Sequence, residues 1–74
     1  MNVSTLAEAL FVSPLRPADR PVTSQVEAAI AASLRTLGIT GCVGAMAQEF
    51  GDHPETAAAR MRWALGVVSS LPAG

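Results

Sequence analysis

The side chains able to do chemistry are few, and the tightest group of them lies in "GDHPET", where Asp52, His53 and Glu55 stand within four positions of one another. An imidazole between carboxylates is the material of general acid–base work. Catalysis would also need a nucleophile and an enclosing pocket, which 74 residues hardly provide. The same letters serve as the charged start of a helix, so no enzyme is expected. Cys42 and His53 are the only soft metal ligands, and a structural zinc takes four. No metal and no cofactor are therefore expected, with Cys42 a buried thiol and His53 a surface imidazole. A lone cysteine closes no disulfide within the chain, which suits a reducing, intracellular setting.

The remaining polar chemistry is cationic. Arg16, Arg20, Arg35, Arg60 and Arg62 are all the basic residues, set against six carboxylates for a net charge of −1. A strong nonspecific polyanion binder would carry an obvious basic excess, and this chain does not. The opening "MNVSTLAEALFVSPLRPADRP" lacks a basic start and a long apolar run, so it does not resemble a secretory signal. No run approaches the ~18 consecutive apolar residues that span a bilayer. A cytoplasmic protein with no membrane partner is expected.

The elements that must position these groups are helices. In "STLAEALF", Thr5 and Glu8 fit a capping box, and Leu6 and Leu10 share a side. Pro14, Pro17 and Pro21 then bar helix and make an arm, with Leu15 packed on the domain and Arg16 and Arg20 facing water. Residues 1–22 are thus a short helix and Pro-rich arm, and 23–71 a helical domain. "TSQVEAAIAASLRTLG" starts at Ser24 with Glu27 as a box, or at Thr23, and stops at Gly38. Val26, Ile30, Leu34 and Leu37 give it an apolar stripe. "ITGCVGAMAQEFG" reads as a third helix capped by Thr40, with Val43, Met46, Ala47 and Phe50 inward and Gly51 as its stop. Asp52 caps a fourth helix, with Pro54 in its first turn and Glu55 closing the box. The fold class is all-α, three or four short helices around one core.

Two helices joined by a Gly-containing turn form a helix-turn-helix arrangement, and "MAQEFGDHPETAAARMRWA" resembles the two-helix core of helix-turn-helix transcription regulators. Ala47 is the small residue that lets the helices cross closely. Gly51 is the turn glycine, and Phe50, Ala57 and Met61 fit the apolar positions. Two positions depart: Asp52 stands where an apolar plug is usual, and Ala57 where a branched aliphatic is usual. Both point to a tighter or shifted fourth helix. The resemblance implies that the start of that helix lies in a major groove of double-stranded DNA. Arg60 would then read guanine, Glu55 a cytosine amine, and Thr56 and Ala59 a thymine methyl. The plainer alternative leaves Glu55 in its capping box and Arg60 in solvent.

Phosphate contacts need cations, so one protomer would bind DNA weakly and a dimer better. A second feature asks for a partner without nucleic acid. Ala57, Met61, Ala64, Leu65 and Val68 form the core stripe of the fourth helix, yet Trp63 and Val67 lie off it and Leu71 extends its apolar end. Trp63 suits an interface anchor, with Leu6, Leu10 and Phe11 of the first helix as companions. Either the chain's own arm or a second chain covers it. The first functional expectation is a small DNA-binding regulator acting as a homodimer. The alternative is a helical protein–protein interaction module, adaptor or antitoxin-like, using Trp63 and the arm. In either case the protein is expected to be a homo-oligomer or bound to a protein partner.

Overall fold

Caps and prolines set the limits of three helices in a computed structural model that describes residues 2–72. Helix α1 spans Val3–Phe11. Asn2 caps it, its Oδ1 accepting the Thr5 N–H at 2.8 Å, which satisfies one of the first-turn donors a helix leaves open. The start therefore lies three residues before the box expected at Thr5 and Glu8. Pro14 prevents continuation, and the chain turns with the Ser13 hydroxyl donating to the Leu10 carbonyl at 2.6 Å.

The arm holds one 3₁₀ turn, Pro17–Asp19, closed by the Arg16 N–H donating to Asp19 Oδ2 at 2.9 Å. Arg20 ends that turn at φ 46° in the left-handed region, unusual for a residue other than glycine. Leu15 is half-buried against the core, and Arg16 and Arg20 are exposed, as expected.

Helix α2 runs Thr23–Asp52. It is led in by Val22, whose N–H donates to Gln25 Oε1 at 2.9 Å, so Gln25 takes the role foreseen for Glu27. At Gly38 the backbone breaks to φ 71°, ψ 173°, a conformation essentially restricted to glycine. The expected stop is thus a break, but helix resumes at once, and limbs 23–37 and 39–52 follow each other without a loop. No Thr40 cap forms.

The second break falls later than expected. Gly51 and Asp52 are both helical, and the bend is carried by His53 alone, at φ −140°, ψ 66°. Helix α3, Pro54–Ser69, begins at the next residue. Pro54 is the cause: its ring excludes the helical conformation from the residue before it. The His53 N–H still closes onto the Glu49 carbonyl at 2.7 Å, so nothing stops α2 earlier. The cap expected from Asp52 is absent, since His53 holds that position without a side-chain bond. Gly51 therefore does not serve as a turn glycine.

The three helices close one core, and no strand occurs among the described residues. α1 is its centre: Ala7, Ala9, Leu10 and Phe11 are buried, against Val26, Ile30 and Cys42 from α2 and Ala57, Ala64 and Val68 from α3. Phe11 stacks on Phe50, ring centroids 5.8 Å apart. Four of these ten are alanine, which lets helices approach closely while each buries little area. Leu10, fully buried, contributes ~2 kcal/mol by transfer from water. The radius of gyration, 11.3 Å, equals the roughly 11 Å of a well-packed chain this long.

Candidate interaction site

Arg60 is the polar hub of the molecule. From the second turn of α3 its guanidinium reaches the end of α1. Nε donates to the Phe11 carbonyl at 2.6 Å, and Nη2 to the carbonyls of Ser13 at 2.8 Å and Leu15 at 2.7 Å. A helix C-terminus leaves carbonyls unpaired and carries partial negative charge, so a cation there gains hydrogen bonds and dipole attraction together. The guanidinium also lies 5.7 Å from the Phe11 ring centre and 5.3 Å from that of Trp63, within cation–π range of both. Burial holds its pKa below the ordinary arginine value, neighbouring Arg16 adds to that, and Glu49 opposes it. Arginine remains charged regardless.

The four residues read as base contacts are thereby separated. Glu55, Thr56 and Ala59 are exposed at the start of α3, while Arg60 is half-buried and bonded to its own chain. Sequence reasoning missed this role, although a signal existed. Arg60 lies three residues after Ala57 and four before Ala64, on the buried stripe itself, where a cation needs acceptors.

The residues read as an interface divide differently. Leu10 and Phe11 are core, Leu6 is half-buried against it, and Trp63, Val67 and Leu71 come together on one side. These three, with Pro21 of the arm, line a groove of about 480 Å³. Trp63 touches its own chain through Arg60 yet stays half-exposed. Thr23, Gly66 and Ser70 also line the groove, and Arg62 is the one charge on its walls. The last turn is fixed by the Ser70 hydroxyl donating to the Gly66 carbonyl at 3.0 Å.

The rest of the surface is sparse in chemistry. Among the described residues no three of His, Cys, Asp and Glu gather as a metal site. Cys42 is fully buried, its Sγ 3.8 Å from the Ser33 carbonyl, and burial followed by Glu8 pushes its thiol pKa up. α2 leaves Leu37, Ile39 and Val43 exposed. By length and composition alone it could cross a membrane, with mean hydropathy 1.4 over its most apolar 18-residue window, of which 17% is buried. The backbone break at Gly38 interrupts it.

No family model matches the chain, and neither a curated protein nor a solved structure matches it significantly.

Proposed function

We propose that the protein is a non-enzymatic helical interaction module. Its groove, walled by Trp63, Val67 and Leu71, takes an apolar segment of a partner protein that presents a carboxylate to Arg62. The observation that carries this reading is a half-exposed tryptophan inside a groove whose single charge is positive. Tryptophan supplies large, rigid apolar area and is enriched where truncation costs binding most. The reading as a DNA-binding dimer has less support. Its main base-reading candidate, Arg60, is engaged by Phe11, Ser13 and Leu15, and the net charge of −1 gives phosphate little to hold.

Gly66 gives a clean test, because a Cβ there meets nothing within 4 Å. Gly66→Gln adds helix propensity and places a side chain in the groove without touching the core. Peptides selected from a random display library on the folded wild type should shift emission of Trp63, the sole tryptophan, to the blue. They should bind Gly66→Gln at least tenfold more weakly at unchanged helix content. Peptides that bind both proteins equally would overturn the reading. So would failure to select any, together with saturable, salt-dependent binding of random duplex DNA.

A further inference from the structure

We propose that a second groove, between the end of α1 and the α2–α3 bend, binds a carboxylate carried on an apolar body, with Arg60 and Arg16 as its cations. The groove is about 530 Å³, within the range of small-molecule sites. Both arginines line it, together with Gln48, Glu49 and Thr56.

Arg60 arrives there incompletely matched. All its acceptors are neutral carbonyls, taken by Nε and Nη2, and Nη1 has no protein acceptor among the described residues. No buried side-chain nitrogen or oxygen among the described residues is left without a partner, so Nη1 opens to solvent. It offers two diverging N–H donors, and one of them can give a charge-assisted hydrogen bond to a carboxylate oxygen. The hydroxyl of Thr56 and the amide of Gln48 add donors. Phe11, Pro14 and Ala45 supply an apolar floor, which selects a carboxylate with a hydrocarbon body over a bare ion.

Charge narrows the ligand further. Two arginines, Arg16 and Arg60, face one glutamate, Glu49, on the groove walls, a positive balance that one anion relieves. Glu49 on the same walls repels a second negative charge, so a monocarboxylate is preferred to a phosphate dianion. Its source is a free organic acid or the C-terminus of a polypeptide, and both present the same group.

Titration calorimetry with phenylacetate and with N-acetyl-Leu-Phe as acid and as amide tests the proposal, with Trp63 emission as a second readout because Arg60 lies over that ring. Saturable binding of an acid, lost in the amide, is the expected result. Arg16→Gln should weaken it about threefold to fivefold, the scale of one exposed charge pair, and Glu49→Gln should tighten it by a similar factor. Arg16 is exposed and its structural bond to Asp19 uses the backbone N–H, so the variant keeps the fold. Tighter binding of the peptide acid assigns the site to a chain terminus, and tighter phenylacetate to a free acid. Gly66→Gln should leave acid binding unchanged, so this site and the Trp63 groove fail or succeed separately. No saturable binding by either acid, or binding indifferent to both Arg16→Gln and Glu49→Gln, would overturn it.

Discussion

Replacing Arg60 with alanine removes what ties α1 to α3 by polar contacts, and the cost can be worked from the geometry. Three bonds of 2.6, 2.8 and 2.7 Å are lost. A hydrogen bond to a charged group contributes ~1.5–3 kcal/mol, and an acceptor then left buried and unpaired adds to the loss. Here Arg60 is half-buried and the freed carbonyls at the end of α1 can turn to water, so ~1 kcal/mol each is the better figure. The sum is ~3 kcal/mol, set against a total stability of roughly 4–11 kcal/mol for a chain this long. Cation–π contacts with Phe11 and Trp63 add to the loss rather than offset it. The thermal midpoint should fall by ~12–24 °C. Urea unfolding followed by helical dichroism and by Trp63 emission gives the number directly. Arg60→Lys keeps the charge but not the fork and should recover less than half. Arg62→Ala, at an exposed neighbour, should leave the midpoint in place. A loss below ~0.5 kcal/mol for Arg60→Ala, with wild-type cooperativity retained, would refute the tie.

Gly38→Ala should destabilise by ~1–3 kcal/mol in the same assay, because alanine resists φ 71°, ψ 173°; no effect would mean that α2 is continuous in solution. Gly51→Ala should do the opposite and stabilise by up to ~1 kcal/mol, since Gly51 is helical and its Cβ would meet open space. Destabilisation there would restore Gly51 as a turn residue. Cys42 should resist thiol reagents in the folded protein and react only on opening, as its burial and raised pKa both disfavour thiolate. Because the folded thiol holds its proton longer than the unfolded one, its contribution is complete below the ordinary cysteine pKa and declines as pH rises through the raised value. Cys42→Ser should flatten that alkaline decline.

Helical periodicity in the sequence was enough to give the all-α class and most of the stripes Val26–Ile30–Leu34 and Ala57–Met61–Ala64–Val68, because burial of one face imposes that spacing; Leu37, Val43, Ala47 and Leu65, expected inward, are exposed. The breaks were less legible. Gly38 and Gly51 look alike as letters, but only Gly38 leaves the helical region; the proline two residues past Asp52 decides the second break and moves it to His53. The caps moved for a related reason. Asn2 takes the Thr5 N–H and Gln25 the Val22 N–H, each starting its helix earlier than Thr5 or the Ser24–Glu27 box would, and local spacing does not rank the contestants. The site was harder still. Trp63, Val67 and Leu71 share a helix and were visible together. The Arg60 tie spans 45 to 49 residues of chain, and no local pattern announces a contact of that reach.

Arg60 serves the protein's own fold through its bonds to Phe11, Ser13 and Leu15, which takes the start of α3 out of reach as a base reader. A ¹⁵N-resolved NMR titration with random duplex DNA at low salt tests it most directly, watching the Arg60 Nε–H and the amides of Glu55, Thr56 and Ala59. The Arg60 Nε–H should exchange slowly, and all four resonances should stay in place as DNA is added. Saturable, salt-sensitive movement of those four, with Arg60 Nε–H exchanging freely, would contradict it.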